Sequence, residues 1–216
     1  MELYLEILPE AQRRLWPLLK NIPACFVLYG GTAIALQLGH RISVDFDFFS
    51  DDPLDKESLL QQFPILTEHV ITQPEINTID SFIDFPEGSV KIQFLAGLKA
   101  RQKRINPPWI APDNGLKIAS LQDLMATKLN TIQRRAECKD YIDIDALIQS
   151  GLGLEEGLGC AVAIYGQSFD PGTSLKALCS YRDGDLQELD RKIQKRLCTL
   201  ARAVENIPSI QSLQSP

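Results

Sequence analysis

The chain has 216 residues, of which 44% are hydrophobic, and it carries a formal net charge of −6 at pH 7. This length and composition allow one sizeable globular domain or two small ones with buried cores. The negative charge argues against tight non-specific binding of nucleic acid over a broad surface, and it leaves room for a local basic patch.

Nothing in the sequence indicates membrane insertion or secretion. The longest near-apolar stretch, residues 157–166, is much shorter than the roughly 20 residues that a membrane helix needs. Residues 1–6 are acidic, whereas a secretory signal begins with a basic region. We therefore expect a cytoplasmic protein with no membrane partner.

The cysteines and histidines argue against two common kinds of site. The five cysteines contain no Cys-x-x-Cys pair, and the odd number predicts reduced thiols that mostly fill the core. With only two histidines, a zinc site is disfavoured, and a Ser-His-Asp hydrolase has no supporting nucleophile motif.

The chain begins with a predicted surface helix over residues 9–19, followed by a buried strand over residues 26–29. Gly30 and Gly31 then predict a turn that needs bare backbone, and a short helix follows over residues 32–38. Backbone N–H groups and the positive end of that helix would point at whatever binds there. Such a place suits anions, and phosphates in particular.

Two carboxylates follow on the next predicted strand, residues 44–49. Because side chains alternate along a strand, Asp45 and Asp47 share one face, while Phe46 and Phe48 share the other. Neighbouring carboxylates repel each other unless a cation lies between them, and Mg²⁺ commonly takes one or two carboxylates together with water and substrate phosphate. A phosphate cradle followed by Asp-x-Asp therefore predicts metal-assisted phosphoryl or nucleotidyl transfer.

The following elements extend the predicted sheet. Asp55 is placed to cap a helix over residues 56–63. Beyond it the apolar period changes to two, and strands over residues 76–85 and 89–95 are expected to form a hairpin at the far side of the sheet.

A run rich in proline and glycine, residues 106–115, interrupts this pattern and indicates a domain boundary. We place the first domain at residues 1–111 and a helical region at residues 112–216. The basic residues just before the run predict either a solvated loop or a contact for an RNA backbone, and they are Arg101, Lys103 and Arg104.

The second region is predicted to be helical. Ser120, with an acid three residues later, resembles a capping box and starts a helix to about residue 135. In a second helix, residues 139–149, Asp140 and Asp143 share one face. One interpretation is a helical hairpin held by ion pairs among Lys128, Arg135, Asp140 and Asp143. Helical patterns continue over residues 154–165, 174–181 and 186–206.

The order and spacing of these motifs resemble a known superfamily. Twelve residues separate Thr32 from Asp45, and a Gly-Gly turn followed in this way by Asp-x-Asp resembles the nucleotidyltransferases of the DNA polymerase beta type. The local sequence looks like that of the AbiEii/AbiGii toxin family. It reads Gly-Gly-Thr-Ala-x-Ala-Leu and then Gly-His-Arg-x-Ser-x-Asp-Phe-Asp-Phe-Phe. Residues 124–129 and 139–143 also resemble later motifs of that family.

The resemblance implies an α+β fold, with a small mixed β-sheet nucleotidyltransferase core, flanking helices and a helical C-terminal region that contributes to the site. It implies Gly30, Gly31 and Thr32 at the phosphates of a nucleoside triphosphate, with Asp45 and Asp47 holding Mg²⁺.

Two further roles are carried over from the later motifs. Lys128 would bind triphosphate. Asp140 would act as base or brace, and Asp143 is the second candidate for that role.

One position departs from the superfamily pattern. A third metal-binding carboxylate is expected on the second strand of the hairpin, and the matching place here carries Gln93. A neutral amide is a much poorer magnesium ligand than a carboxylate. The alternatives are a weakly held second metal, substitution by Asp84 or Asp80 on the neighbouring strand, or reduced activity.

The function that this resemblance implies is that of a Mg²⁺-dependent nucleotidyltransferase toxin. It would transfer a nucleoside monophosphate from a nucleoside triphosphate to an acceptor hydroxyl, on RNA of a tRNA-like kind, and an antitoxin protein would hold it in check. The alternatives are a catalytically weakened nucleotide-binding or interaction module, and a nucleotidyltransferase of the antibiotic-modifying type that acts on a small molecule.

Overall fold

The structure is a computed structural model that describes residues 2–67, 70–71, 76–97 and 103–213. The chain divides into two compact units. The sheet unit comprises Met1–Gln102 and Pro108–Ala119, and the helical unit comprises Lys103–Pro107 and Ser120–Pro216.

The sheet unit is built on one mixed sheet. In chain order its strands are β1 (Val27–Tyr29), β2 (Phe46–Phe49), β3 (Val70–Ile71), β4 (Thr78–Phe85), β5 (Gly88–Leu95), β6 (Trp109–Ile110) and β7 (Lys117–Ile118). Their order across the sheet is β3-β4-β5-β2-β1-β7-β6. The pairs β2/β5 and β1/β7 are parallel, and the other pairs are antiparallel. The predicted α+β class with a small mixed sheet is confirmed.

Three α-helices flank this sheet, and they are α1 (Glu10–Leu15), α2 (Gly30–Leu38) and α3 (Lys56–Gln62). Short 3-10 segments cover Leu5–Ile7, Trp16–Asn21 and Pro64–Leu66. The helix predicted over residues 9–19 is α-helical only as far as Leu15, because Pro17 lies in the first turn of the 3-10 segment that follows. Asp55 caps α3 as expected, since its side chain accepts a hydrogen bond from the backbone N–H of Ser58.

The two faces of the sheet differ in character. On one face the aromatic side chains of β2 and β5 are fully buried, and the rings of Phe48 and Phe94 stack with centroids 5.2 Å apart. On the other face Asp47 and Gln93 are partly exposed. The alternation predicted from the Asp-x-Asp strand therefore directs Phe46 and Phe48 to the core and Asp47 away from it.

The sheet unit continues beyond the boundary predicted at residue 111. Strand β7 pairs in parallel with β1, Leu28 opposite Ile118, so residues 108–119 return to the sheet. Trp16 Nε1 also donates a hydrogen bond to Asp113 Oδ2 at 2.6 Å. The proline- and glycine-rich run thus contains β6 and the turn that leads to β7, and the chain returns to the helical unit at Ser120.

The helical unit contains α4 (Leu121–Thr131), α5 (Cys138–Gln149), α6 (Leu154–Tyr165), α7 (Pro171–Ala177) and α8 (Arg191–Ala203), with 3-10 segments at Gly166–Ser168 and Leu186–Glu188. Ser120 caps α4 by accepting a hydrogen bond from the backbone N–H of Asp123. Helix α7 begins before the predicted residue 174, because Asp170 caps it and Pro171 occupies its first turn.

The cysteine prediction is wrong for one pair. Cys179 and Cys198 form a disulfide, with their Cα atoms 4.6 Å apart. The pair joins the end of α7 to α8, and a separation of 19 residues gave no motif from which to infer it. Among the remaining cysteines, Cys160 is buried in the core of the helical unit as expected, whereas Cys25 is exposed.

Among the residues described, no single helix is both long enough and apolar enough to cross a membrane. Helix α5 and the stretch from Leu154 to Ser168 reach that length only when counted together, and a bend of 116° separates them.

Candidate functional site

The Gly30 turn and the Asp-x-Asp strand meet in the sheet unit. Strand β1 runs antiparallel to β2 with Tyr29 opposite Asp47, which brings Asp47 beside the next residue, Gly30. Gly30 has a φ of +73°, and a Cβ added there would lie 2.2 Å from Asp47 Oδ2. Only a residue without a side chain fits this position, because both the backbone conformation and the space require it.

Helix α2 starts at Gly30 itself, two residues before the predicted start. No side chain caps the helix at Tyr29, so its first N–H groups form the positive end that follows β1. The positive end of this nine-residue helix therefore begins beside Asp47, and the anion site predicted at this turn stays a prediction.

Thr32 holds the loop before β2 rather than presenting its hydroxyl to the surface. Its side chain is buried, donates a hydrogen bond to the backbone carbonyl of Asp45, and lies 2.9 Å from the Ser43 hydroxyl. Its backbone N–H is therefore the group that Thr32 can offer to a phosphate, while its side chain fixes the position of Asp45.

The donor set of this site fits Mg²⁺. Among the residues described, no group of three or more His, Cys, Asp or Glu side chains is arranged to hold a metal. The protein carboxylates at the site are Asp45 and Asp47, two positions apart at the start of β2. Mg²⁺ commonly takes one or two carboxylates and completes its octahedral shell with water and phosphate oxygens, so a pair of carboxylates beside the positive end of α2 suits it.

Gly30→Ala should both destabilise the protein and displace the Asp47 carboxylate. The left-handed backbone alone costs an alanine about 1–2 kcal/mol, and the collision with Asp47 adds to that cost. Gly115→Ala is the matched control, since Gly115 has a φ of +74° and nothing lies within 4 Å of an added Cβ. Urea unfolding should show a clearly larger loss for Gly30→Ala, and equal losses would contradict the close approach.

In the helical unit, Lys128, Asp140 and Asp143 form a buried ion cluster. Lys128 Nζ lies 2.7 Å from Asp140 Oδ1 and 2.7 Å from Asp143 Oδ2. Both carboxylates have no exposed surface, and the lysine side chain is 7% exposed. The cluster joins α4 to α5, which is the ion-paired hairpin expected as one interpretation of these residues.

Arg135 completes the cluster from its solvent side. Its Nε lies 2.8 Å and its Nη2 3.0 Å from the two oxygens of Asp140. Burial alone would raise the pKa of Asp140, but hydrogen bonds and charges from Arg135 and Lys128 outweigh burial and lower it. A carboxylate with a lowered pKa holds a proton weakly, so Asp140 suits a brace better than a general base.

The basic residues flagged near the boundary are only partly within the described structure. Lys103 is exposed, and Arg104 pairs with Leu213 in an isolated bridge. Arg101 lies outside the described residues.

Sequence reasoning missed a basic face on α8. Helix α8 contains no acidic residue, and its Arg196 pairs with the buried carboxylate of Asp145 at 2.6 Å. The exposed cations are Arg191, Lys192, Lys195 and Arg202. The spacing of Arg191, Lys195 and Arg202 by four and seven residues was the available signal, because it places them on one stripe of a helix.

Comparison with known proteins gives a family match over most of the chain. The model of the family described as "Nucleotidyl transferase AbiEii toxin, Type IV TA system" matches residues 19–205. An uncharacterized protein of Aquifex aeolicus (strain VF5) is 31% identical over 134 residues, which is 61% of this chain and 62% of that protein. The match therefore spans less than two thirds of that relative's length.

Two solved structures share the fold. The nucleotidyltransferase toxin MenT4 of Mycobacterium tuberculosis H37Rv aligns with a TM-score of 0.57 and 17% identity, over 90% of this chain and 82% of that one. A provisionally assigned nucleotidyltransferase from H. pylori aligns with a TM-score of 0.53 and 16% identity, over 88% of this chain and 91% of that one.

Proposed function

The chain belongs to the AbiEii nucleotidyl transferase toxin family, and from that membership we propose that it transfers a nucleoside monophosphate from a nucleoside triphosphate to an acceptor hydroxyl. The reaction is Mg²⁺-dependent. The observation that carries the proposal is the contact between Gly30 and Asp47, which brings the start of α2 beside a carboxylate of the Asp-x-Asp strand.

Different parts of this site bind the phosphates and the metal. The backbone N–H groups of Gly30, Gly31 and Thr32 bind phosphate oxygens at the positive end of α2. Asp45 and Asp47 hold Mg²⁺, and Thr32 keeps the Asp45 backbone in place through its own hydroxyl. Mg²⁺, when bound, neutralises phosphate charge and lowers the pKa of the attacking hydroxyl.

The reaction is an in-line displacement at the α-phosphorus. The acceptor oxygen forms a bond to phosphorus as its proton departs, and the bond to the bridging oxygen breaks, so that pyrophosphate leaves. Little covalent chemistry is required of the protein, and catalysis consists mainly of positioning and charge neutralisation.

For the helical unit we propose the roles that its family motifs imply. Lys128 neutralises triphosphate charge, and Asp140, with Asp143 as the alternative, orients the nucleophile or takes its proton. The brace is the form of this role that the lowered pKa of Asp140 supports. Any variant of these residues must be checked for folding, because the same atoms join α4 to α5.

Nucleotide binding tests the proposal without requiring an acceptor. Titration calorimetry with each of the four nucleoside triphosphates and Mg²⁺ should detect binding of at least one. Asp47→Asn should weaken it, whereas Asp84→Asn, the same change at an exposed position of β4, should not. Failure of the folded wild-type protein to bind any of the four would defeat the proposal.

The acceptor that we propose is an RNA of the tRNA kind, and the basic face of α8 supports it. A chain with a net charge of −6 concentrates Arg191, Lys192, Lys195 and Arg202 on the exposed side of one helix. Such a stripe can follow a phosphate backbone without requiring the rest of the surface to be basic.

Neutralising this stripe should weaken RNA binding in a salt-dependent way. The double variant Lys195→Gln/Arg202→Gln should bind tRNA several-fold more weakly, and the slope of log K against log salt should fall by about 1.5. The matched control is Arg13→Gln/Lys20→Gln, which removes one lysine and one arginine from exposed positions of the sheet unit. Equal effects of the two doubles, measured by fluorescence anisotropy, would show that net charge alone matters.

The family to which the chain belongs is described as a toxin family of type IV toxin–antitoxin systems. We accordingly propose an antitoxin protein as its partner. Co-expression with the product of the adjacent gene should restore growth that this chain inhibits, and no inhibition on expression of the wild-type chain alone would contradict the toxin role.

A further inference from the structure

The residue at the expected place of the third carboxylate, Gln93, has a partner that gives it a defined orientation. We infer that Gln93 offers its side-chain carbonyl oxygen to the metal at Asp47, and that Asp80 is the positioning residue that directs it there. The inference rests on the proposed function, since it concerns the metal of the same site.

The strand register places the three side chains in one row. Gln93 on β5 lies opposite Asp47 on β2 and also opposite Asp80 on β4. Because residues paired across adjacent strands share a face, Gln93 stands between the two carboxylates. All three positions are partly exposed, whereas the next residue on β5, Phe94, points to the core.

A hydrogen bond decides which end of the Gln93 amide points each way. Gln93 Nε2 donates to Asp80 Oδ1. An ionised carboxylate only accepts hydrogen bonds, so the amide must present its NH₂ group, rather than its oxygen, to Asp80. The amide oxygen is therefore the end that does not face Asp80, and the other neighbour of Gln93 in the row is Asp47.

The same register argues against Asp80 as a direct ligand. Adjacent strands are about 4.8 Å apart, so Asp80 and Asp47, two strands apart, have backbones separated by about 9–10 Å with Gln93 between them. Mg²⁺ needs its ligand oxygens at about 2.1 Å. Asp84 is more remote still, because it lies four residues further along β4, exposed and opposite Ser89.

Asp80 also strengthens the ligand that it directs. A charge-assisted hydrogen bond at the amide nitrogen is stronger than a neutral one and polarises the amide, which leaves more negative charge on its oxygen. The Gln93–Asp80 pair thus supplies part of the negative charge that a third carboxylate would supply. That charge lies on Asp80, which contacts Gln93 rather than the metal itself.

Mn²⁺ binding, followed by the electron paramagnetic resonance signal of the free ion, tests this without measuring activity. Loss of an outer partner of a metal ligand typically lowers metal affinity by about 10-fold to 100-fold, and we expect Asp80→Ala to fall in that range. The matched control is Asp84→Ala on the same strand, which should bind as the wild type does. Thermal unfolding without metal establishes that each variant is folded.

Exchanging the amide and the carboxylate between the two strands should preserve Mn²⁺ binding. In Asp80→Asn/Gln93→Glu the amide donor stands on β4 and the carboxylate on β5, so Mn²⁺ affinity should equal or exceed that of the wild type. Gln93→Glu alone should gain less, because it places like charges on opposed residues.

Two results overturn the inference, and they can be told apart. If Mn²⁺ affinity depends on Asp47 but is the same in Asp80→Ala, the inference fails and the proposed function stands. If the folded wild-type protein binds no Mn²⁺ with or without nucleotide, the metal site itself fails, and the proposed function fails with it.

Discussion

Lys128→Met should destabilise the protein by about 3–5 kcal/mol, the usual cost of removing one partner from a buried ion pair. The substitution keeps an unbranched apolar side chain only one atom shorter than lysine, so the loss comes mainly from charge. It leaves two fully buried carboxylates, Asp140 and Asp143, with the partly exposed Arg135 as the remaining cation of the cluster. Denaturant unfolding of the purified variant measures the effect.

A neighbouring lysine provides the control. Lys139 lies 2.9 Å from Glu137, but the two side chains are 49% and 38% exposed. Exposed ion pairs contribute about 0–1 kcal/mol, so Lys139→Met should be close to neutral. Comparable losses in the two variants would contradict the burial of the Lys128 cluster.

A second variant tests the cause of the loss. Asp140 keeps two hydrogen bonds from Arg135 when Lys128 is removed, whereas Asp143 loses a cation 2.7 Å away. Lys128→Met/Asp143→Leu therefore removes one positive and one negative charge together, and replacing a buried pair with apolar residues is often neutral. The double variant should be more stable than Lys128→Met alone.

Acid should remove part of the same stabilisation in the wild type. The folded-state pKa of Asp140 is lowered, so its contribution is fully present above the unfolded-state pKa of about 3.9 and is lost as pH falls toward the folded value. In Lys128→Met a cation that lowers this pKa is absent. The free energy of unfolding of Lys128→Met should accordingly fall less than that of the wild type between about pH 5 and about pH 3, a range that brackets the unfolded-state pKa of about 3.9.

Most of the fold could be predicted because its signals are local. Alternation around Asp45 and Asp47, the cap at Asp55 and the cap at Ser120 each depend on residues a few positions apart, and the structure has these features. The boundary could not be placed in this way. Strand β7 is two residues long, too short to show a period, and its pairing with Leu28 joins segments about 90 residues apart in sequence.

The candidate site could likewise be predicted only where its features depend on residues close together in sequence. The Gly30 turn and the Asp-x-Asp strand could each be predicted from local sequence, whereas their contact depends on the antiparallel pairing of β1 with β2, and the partner of Gln93 depends on the register of β4 with β5. The sequence offered Asp80 and Asp84 as equal alternatives, and only the pairing of β4 with β5 distinguishes them. The sequence likewise does not reveal that the Lys128 side chain is almost fully buried between two carboxylates, because that burial depends on how α4 packs against α5.

Asp45→Asn should reduce nucleotidyl transfer by at least about a hundredfold, the scale seen when one preorganised charge-stabilising group is lost at an active site. Asparagine keeps the shape of the side chain but removes the charge that, under the proposed function, would hold Mg²⁺. The double variant Asp45→Asn/Asp47→Asn should lose essentially all transfer. Both variants should remain folded, because replacing a carboxylate with a neutral amide relieves the repulsion between neighbouring carboxylates on the strand.

Transfer of label from radioactive nucleoside triphosphates to total RNA is the most direct test of the proposed activity. Wild-type protein should label RNA only when Mg²⁺ is present, Asp84→Asn should label it equally well, and Asp45→Asn should label it at least about a hundredfold more slowly. Equal labelling by wild type and Asp45→Asn would contradict the metal assignment. No labelling by folded wild-type protein that binds nucleotide would contradict RNA nucleotidyl transfer itself.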